Sequence, residues 1–405
     1  MNGIIGSFVE AWAEFRVHKA RVILSLLGVG IAVLALTAVV GIGQIATQAQ
    51  IEQLERGSGR PATLVVNPPF NSETGQSVGA AEFDAAMADI VDRYSITYAG
   101  RTSWDSTNIQ LPTGVQLMDL ALVDPPYGVM HRVELVTGSW FTDRDELRLM
   151  PAIVINDLLW DALGRPSMAS HPTIELLTER PTEALIIGVV PSSQWEMSFR
   201  ANLLVSAWEQ IRPTAIGYTP SPPTFELWVP LEIADVLTER IRAELTTALG
   251  GSLVIDVFRA DYLAWGSVDP VEPFRVVLLG VAGLILALGA LGLVNIALVT
   301  VRQRIREIGI RRAFGATAPR IFLAVMLESV LATVFAGFVG VVLAIILVQN
   351  EWALSVFAPD LTDVPAFPAD AALLGFACAV GVGALAGILP AIIAVRVKVI
   401  DAIRY

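Results

Sequence analysis

The residue types that most often perform catalysis or hold metals are few in this chain, and their spacing suits neither role. Its three histidines, His18, His131 and His171, have no second ligand at a metal-binding spacing such as H-E-x-x-H. The carboxylates Asp143 and Asp145 could in principle do acid–base work, but in so acidic a chain they favour a solvated turn. We therefore predict no catalytic, cofactor-binding or metal-binding residues.

Motifs for nucleophilic catalysis and phosphate binding are also missing. The sequence contains neither a G-x-S-x-G elbow nor a G-x-x-x-x-G-K-[ST] loop, and its only lysines are Lys19 and Lys398. Cys378 is the single cysteine, so neither a disulfide nor a thiolate metal cluster can form within the chain. Hydrolysis of ATP by a P-loop in these residues is excluded.

The most charged passage is a basic segment at 301–317, wedged between two long apolar runs. Arginine in a bilayer core is costly, so this segment must lie outside the hydrocarbon. Composition leaves two interpretations open: a positive-inside topology anchor, or a docking element for a soluble partner. Five arginines fall within eleven residues: Arg302, Arg304, Arg306, Arg311 and Arg312.

The elements that flank this segment are membrane spans. With 54% hydrophobic residues, 16% charged residues and a mean hydropathy of +0.62, the chain fits an integral membrane protein. We predict four transmembrane α-helices plus a large α+β extracytoplasmic domain at 44–275, between helices 1 and 2, built as one domain or as two subdomains. The predicted spans are 22–43, 276–301, 321–348 and 371–395.

Charge predicts the orientation of these spans. The N-terminal flank, the 302–320 loop and the 396–405 tail are basic. In contrast, the 44–275 region holds fifteen arginines against thirty acidic residues, and every charged residue of the 349–370 loop is acidic. The positive-inside rule then places both termini and the basic loop in the cytoplasm. Nucleic-acid binding is excluded because the large domain is strongly acidic.

Local patterns predict further elements. Residues 1–21 place Phe8, Trp12 and Phe15 at helical spacing, which predicts a cytoplasmic interfacial amphipathic helix; the alternative is an extension of the first span. A signal peptide is rejected, because an apolar run of about 22 residues exceeds the roughly 7–15 of a signal core.

Residues 44–55 are predicted to continue the first helix. Strands are predicted at 62–67, 96–100, 115–123, 153–155, 174–177, 184–190, 203–205, 225–229 and 253–258, and helices at 80–94, 157–163 and 231–249.

Two features of the spans indicate helix contacts. Gly28/Ala32 and Gly383/Gly387 have the four-residue spacing that permits close helix crossing, although such composition is also routine in membrane helices. Asn295 and Glu328 lie on consecutive spans, each about 10 Å from the cytoplasmic edge, and we predict that they form an intramembrane hydrogen-bonded pair. A proton-relay role for Glu328 lacks a second ionisable group along the spans.

The segment from Asn295 to Ser329 carries a family pattern. Its Asn…Arg…Glu-Ile-Gly-Ile…Arg-Ala…Gly-Ala…Glu-Ser order resembles the MacB/FtsX superfamily of ABC-transporter permeases, with weaker echoes at Gly138-Ser-Trp-Phe141 and Ile187-Gly-Val-Val190. The resemblance covers nearly the whole chain. It implies a MacB periplasmic core-like domain at 44–275 and an FtsX-like permease domain at 276–400.

The resemblance also implies partners. Members of this family dimerise, dock a cytosolic ATPase through the loop after the second span and through the interfacial helix, and transmit its ATP-driven closure to the outer domain. Glu307 and Arg311 would then brace one helix face, and Ile310 with Phe314 would offer an apolar ridge. The residues implied in ATPase coupling are Arg302, Arg304, Arg306, Glu307, Ile308, Gly309, Ile310, Arg311, Arg312, Phe314, Gly315 as an αL cap, and Thr317 as an N-cap.

The sequence begins a few residues before the interfacial helix, so we expect the ATPase, with its ATP and Mg²⁺, to be a separate subunit. The predicted function is a permease subunit of the bacterial inner or plasma membrane, working by mechanotransmission in export or in lipoprotein or peptide handling. The alternative is an FtsX-like signalling scaffold that regulates a cell-wall hydrolase or sensor without transport. Expected partners are the ATPase, a second permease protomer and the lipid bilayer, with an adaptor, lipoprotein or hydrolase outside.

Overall fold

The computed structural model describes residues 19–192, 196–212, 222–250, 253–264, 272–303, 308, 310, 313–314, 317–357 and 366–396. The chain divides into two compact units, Ile51–Asp269 and a second unit of Met1–Gln50 with Pro270–Tyr405. We call Ile51–Asp269 the outer unit and the other the helical unit. Phe8, Trp12 and Phe15 of the predicted interfacial helix lie outside the described residues.

Helix α1 runs without a break from Lys19 to Ser58. About 20 residues suffice to cross a bilayer, so a 40-residue helix extends well past a single span. The predicted continuation of the first span through 44–55 is confirmed, and the last two turns of α1, from Ile51, belong to the outer unit.

The outer unit is a mixed α+β domain, as predicted, built on one large twisted sheet. In chain order its elements are β1 (Thr63–Val66), β2 (Phe70–Asn71), α2 (Ala80–Tyr94), β3 (Tyr98–Leu111), β4 (Gly114–Val123), α3 (Tyr127–Met130), β5 (Thr137–Gly138), β6 (Ala152–Asn156), α4 (Asp157–Ala162), β7 (Thr173–Leu176), β8 (Thr182–Val190), β9 (Phe199–Leu204), α5 (Val205–Ile211), β10 (Thr224–Trp228), α6 (Ala234–Leu249), β11 (Leu253–Val254) and β12 (Val257–Arg259).

The strand order in the sheet is β12-β1-β10-β3-β4-β9-β6-β8-β5, and β7 pairs with β3 and β8 off this path. Strand β3 is a central strand that connects the part of the sheet containing β10 to the part containing β4. Its first residues, Tyr98–Thr102, pair with β10, and from Thr102 onward it forms a long hairpin with β4 that reaches Leu111 opposite Gly114. The β4–β9 and β6–β8 pairs are parallel.

Among the described residues, two helix-covered hydrophobic cores lie along this sheet, and a third cluster surrounds Phe141 among residues of β4, β6, β8 and β9. Helices α2 and α6 bury Phe83, Met87, Ile90 and Ile241 against β1, β10 and β12. Helices α4 and α5 cover the other end, where Trp208 packs into the second core. Strand β3 contributes residues to both helix-covered cores.

The helical unit comprises the described part of α1 up to Gln50 with helices α7 (Glu272–Gln303), α8 (Ala318–Val348), α9 (Glu351–Phe357) and α10 (Ala369–Arg396). Among the described residues, three helices are long and apolar enough to cross a membrane: Leu27–Ser58 within α1, α8 and α10. The predicted span at 276–301 falls within α7, whose apolar stretch Leu279–Gly292 is shorter, so the predicted count of four spans is not confirmed. Helix α9 lies in the predicted 349–370 loop.

Small residues form a seam between α8 and α10. Successive layers bring Ser329 against Gly387, Thr333 against Gly383, and Ala379 against Gly337, with a spacing of four residues along each helix. A Cβ on Gly387 would lie 3.0 Å from the Cβ of Ser329, and one on Gly383 would collide with the Thr333 hydroxyl. The close crossing predicted for Gly383 and Gly387 is confirmed.

Helix α1 packs against its neighbours in the same way. A Cβ on Gly340 of α8 would lie 2.6 Å from the carbonyl oxygen of Gly30, and one on Gly289 of α7 would lie 2.5 Å from the Cβ of Ala32. Gly28 itself has open space beyond its Cα among the described atoms, so only Ala32 of that predicted pair sets a close contact.

Candidate functional site

The structure describes a few residues of the basic segment that is predicted to couple to an ATPase. Their side chains lie either on a buried inner face or on an exposed outer face. The backbone of Arg302 belongs to the end of α7, and Ile308, Ile310 and Ala313 are helical. The remaining coupling residues lie outside the described part of the chain: Arg304, Arg306, Glu307, Gly309, Arg311, Arg312 and Gly315.

Ile308 forms the inner face. It is 8% exposed and packs in one cluster with Ile321 at the start of α8 and Ala394 near the end of α10, with Val325 alongside. The α8–α10 seam brings these two helix ends together. Burial of a branched side chain here anchors the segment to both helices.

Ile310 and Phe314 form the outer face. Their exposed fractions are 49% and 89%, and the backbone N–H of Phe314 donates to the carbonyl of Ile310 at 3.1 Å, which closes one helical turn. Residues four apart on a helix lie on one side, so the two side chains make an exposed apolar ridge, as the family resemblance implies. An exposed phenylalanine beside a run of arginines suits a protein partner better than a simple charge anchor.

Thr317 starts helix α8 as predicted. Its backbone is extended, with φ −73° and ψ 149°, and Pro319 occupies the second helical position. The N–H groups of Arg320 and Ile321 donate to the Thr317 carbonyl at 3.1 and 3.2 Å. Among the described atoms the Thr317 side chain makes no capping hydrogen bond, so the cap is a backbone feature only.

Asn295 and Glu328 are both exposed on the surface of the single chain. Each lies on a helix of the helical unit, α7 and α8 respectively. Their predicted hydrogen-bonded pairing stays a prediction.

A second site lies within the outer unit, where the last turns of α1 end. Glu52 and Glu55 are only 2% and 8% exposed, an unusual degree of burial for carboxylates. Arg132 donates to Glu55 at 3.1 Å and lies 3.7 Å from Glu52. Arg56 donates to Glu134 at 3.1 Å and lies 3.9 Å from Glu52. We call these five residues, Glu52, Glu55, Arg56, Arg132 and Glu134, the α1 joint.

His131 connects the α1 joint to the sheet. It is 3% exposed, with Nδ1 3.0 Å from the carbonyl oxygen of Arg56 and Nε2 2.6 Å from Glu226 of β10. A carbonyl oxygen only accepts, so Nδ1 is the donor to Arg56, while Nε2 is within hydrogen-bond distance of the Glu226 carboxylate. The imidazole thus satisfies a helix C-terminal carbonyl and fixes it to a central strand.

The chain around His131 is itself held tightly. Tyr127 stacks on the imidazole with ring centres 3.9 Å apart, and burial, followed by the nearby charge of Glu226, raises the pKa of the Tyr127 phenol. Arg60 binds the same loop twice, through its N–H to the Met130 carbonyl at 2.9 Å and through Nε to the Val129 carbonyl at 2.8 Å.

Two weak sequence motifs meet next to this loop. Gly138 of β5 pairs with Gly188 of β8, and Gly138 has a φ of +87° with no room for a Cβ beside the Ile187 carbonyl. Trp140 donates from Nε1 to the Pro125 carbonyl at 3.0 Å. The two motifs therefore support helix α3 and the loop that contains His131.

The predicted solvated turn at Asp143 and Asp145 is right for the first residue and wrong for the second. Asp145 is 7% exposed and accepts hydrogen bonds from the N–H and hydroxyl of Thr142 and from Arg148. Burial alone would raise the pKa of Asp145, but these hydrogen bonds outweigh it and lower that pKa. Its role is a helix cap, as the Thr142 capping box indicates.

Sequence reasoning missed the α1 joint. The partners Glu55 and Arg132 are 77 positions apart, and no motif spacing connects them. The available signal was local: two acids and an arginine lie at helical spacing in a segment already predicted to continue a membrane helix.

Comparison with known families covers most of the chain. Residues 22–248 match the model of the MacB-like periplasmic core domain, and residues 279–399 match the model of the FtsX-like permease C-terminal domain. The first match includes helix α1 and most of the outer unit, and the second covers most of α7 together with α8 to α10.

Related proteins agree with these matches. The chain is 26% identical over 407 residues to the macrolide export ATP-binding/permease protein MacB of Neisseria gonorrhoeae, covering 98% of this chain and 61% of that protein. It is 27% identical over 418 residues to the uncharacterized ABC transporter permease YvrN of Bacillus subtilis, covering 96% of each. Among solved structures, the periplasmic region of MacB from Actinobacillus actinomycetemcomitans aligns with a TM-score of 0.36 and 14% identity, over 50% of this chain and 91% of that one.

Proposed function

Because this chain belongs to the family of MacB/FtsX-type ABC transporter permeases, we propose that it couples ATP hydrolysis by a separate cytosolic ATPase to movements of its outer unit. The chain is a multi-pass protein of the bacterial membrane. Its spans move substrate indirectly, through a mechanical change outside the bilayer in export or in lipoprotein or peptide handling. A second permease protomer completes the transporter.

One observation carries the coupling role: the division of the basic segment into a buried and an exposed face. Ile308 fixes the segment to Ile321 and Ala394, at the ends of two membrane helices. Phe314, 89% exposed, projects from the same short segment. A partner that grips the Ile310–Phe314 ridge would therefore move α8 and α10 directly.

The orientation predicted from charge supports the same role. In the proposed topology α7 supplies the second of four spans, and the positive-inside rule places the basic segment in the cytoplasm, where an ATPase could reach it. The acidic outer unit then lies outside the cytoplasm.

One comparison supports a separate ATPase: the relative named as an ABC transporter permease is matched over 96% of its length. The relative named as an ATP-binding/permease protein is matched over only 61% of its length, so this chain corresponds to part of that protein. ATP and Mg²⁺ would bind the partner.

Affinity purification of the intact chain in mild detergent tests the proposal. We expect a roughly stoichiometric Walker-type ATPase to copurify, and Phe314→Ala to weaken the complex about tenfold or more, since a truncated aromatic anchor typically costs 1–2 kcal/mol or more. Trp352→Ala is the matched control, because Trp352 is 68% exposed on α9, in the loop placed outside. Recovery of no nucleotide-binding protein with the wild-type chain would contradict the proposal.

A further inference from the structure

The α1 joint places two buried carboxylates, Glu52 and Glu55, in the last turns of helix α1. Glu52, Glu55 and Arg56 project from one side of the helix, being three and four residues apart. Apolar residues of similar size would cover that side at least as favourably, since buried ion pairs seldom exceed a hydrophobic replacement in stability. The contribution of such pairs is geometric: they fix where the helix end sits and how it is rotated.

The charges alternate in sign along an unbroken path. Glu55 meets Arg132, Arg132 meets Glu52, Glu52 meets Arg56, and Arg56 meets Glu134. Both partners from outside the helix, Arg132 and Glu134, lie within one three-residue stretch. A displacement or rotation of the last turns of α1 must therefore pull on this stretch or separate the buried Glu52 and Glu55 from Arg132.

The 132–134 stretch, which a movement of α1 would displace, is firmly attached to the sheet. Arg132 has a φ of +47°, a left-handed backbone that only a well-supported loop maintains in a side chain of this size. The preceding His131 reaches Glu226 in β10, whose Oε1 also accepts from Thr102 of β3 at 3.4 Å. Strand β3 contributes to both helix-covered cores of the outer unit, so a movement of this stretch reaches both.

We propose that Arg132, held between Glu52 and Glu55, is the positioning residue through which displacement of α1 moves the outer unit. This inference rests on the proposed function and adds the point of force transfer to it. Helix α1 provides the lever because it is continuous from Lys19 to Ser58, and Arg132 provides the attachment because it contacts two carboxylates on one side of the helix at once.

The test compares wild-type and Arg132→Gln full-length chains, each purified with the ATPase in lipid nanodiscs. Hydrogen–deuterium exchange is measured without nucleotide and with ATP plus vanadate. In the wild type we expect ATP-dependent changes both in α1 and in the 127–140 stretch. In Arg132→Gln, ATP hydrolysis and the change in α1 up to Gln50 are retained, whereas the change in 127–140 is lost. Arg180→Gln, an exposed arginine of the same unit, behaves as the wild type.

A merely structural role would alter basal exchange without removing the ATP-dependent difference. Arg132→Lys, which keeps the charge, is expected to recover part of that difference. If Arg132→Gln gives too little folded protein, the double variant Glu52→Gln and Glu55→Gln removes the same ion pairs with isosteric side chains and is judged by the same measurement.

The outcomes separate the two claims. An ATP-dependent change in 127–140 that persists in Arg132→Gln, or in the double variant, overturns this inference and leaves the proposed function standing. A wild-type chain that shows no ATP-dependent change in either unit overturns the proposed function and this inference with it.

Discussion

The α8–α10 seam gives a quantitative prediction, because α10 contains a matched pair of glycines. Gly383 faces Thr333, and an added Cβ would lie 3.0 Å from the Thr333 Cβ and closer still to its hydroxyl. Gly381 lies on the same helix, and among the described atoms nothing comes within 4 Å of its added Cβ. Replacing each glycine with alanine therefore changes the helix equally but the packing very differently.

The magnitude follows from this comparison. Both Gly→Ala substitutions gain the same helix propensity, about 1 kcal/mol. Only Gly383→Ala forces two closely packed helices apart, and overpacking of this kind typically costs about 1–3 kcal/mol. We thus expect Gly383→Ala to be less stable than Gly381→Ala by about 1–3 kcal/mol.

Thermal unfolding of the purified full-length chain in detergent, followed by tryptophan fluorescence, measures this difference. A second substitution sharpens it. Thr333→Ala should destabilise the wild type, where it removes a fully buried side chain, but should stabilise Gly383→Ala by relieving the collision. Equal unfolding midpoints for Gly381→Ala and Gly383→Ala, or the same effect of Thr333→Ala in both backgrounds, would refute the close packing described here.

Further predictions concern single buried groups. The hydrogen bonds that lower the pKa of Asp145 stabilise the fold above the ordinary aspartate pKa of about 3.9, so stability should fall as pH drops through the lowered value, and Asp145→Asn should flatten an acid titration of the unfolding midpoint. Burial raises the pKa of Asp84 despite Arg101 at 3.6 Å, so Asp84→Asn should match the wild type at low pH and unfold at a higher temperature at pH 7. Ile308→Ala should cost about 2–5 kcal/mol if the segment is fully anchored, and it should reduce ATPase recovery in the purification assay.

Local periodicity was sufficient to predict the helices that cover the sheet. Phe83, Met87 and Ile90 recur at helical spacing, and the predicted helix at 80–94 coincides with α2, which Ser95 closes with a φ of +51°. An amphipathic helix on a sheet needs only its own pattern of apolar residues, so the sequence contained the necessary information.

Long-range strand pairing was harder to predict. A strand was expected at 96–100, whereas β3 runs from Tyr98 to Leu111. The missed part alternates exposed polar residues with buried Thr107, Ile109 and Leu111, and its strand conformation depends on pairing with β4. The strand predicted at 203–205 is correct for its first two residues, but β9 already begins at Phe199 and Val205 starts α5, which carries Trp208 into the second core. Tertiary contacts override local propensity at both places.

The two candidate sites differ in the same way. The coupling segment has a local sequence pattern, and the family resemblance that this pattern carries implied the ridge at Ile310 and Phe314. The α1 joint depends on contacts between residues more than seventy positions apart and on the left-handed backbone of Arg132. Neither the long-range contacts nor the left-handed backbone produces a periodic pattern in the sequence, so both are visible only in the folded chain.

Site-specific photocrosslinking at Phe314 tests the central claim most directly. A benzophenone amino acid replaces Phe314 in the full-length chain, in native membranes, and a second chain carries it at Trp352 as the control. We predict that illumination joins the Phe314 position to a Walker-type ATPase and that the Trp352 position yields no such adduct. Absence of the ATPase adduct at Phe314, or an equal yield at Trp352, would contradict docking at this ridge.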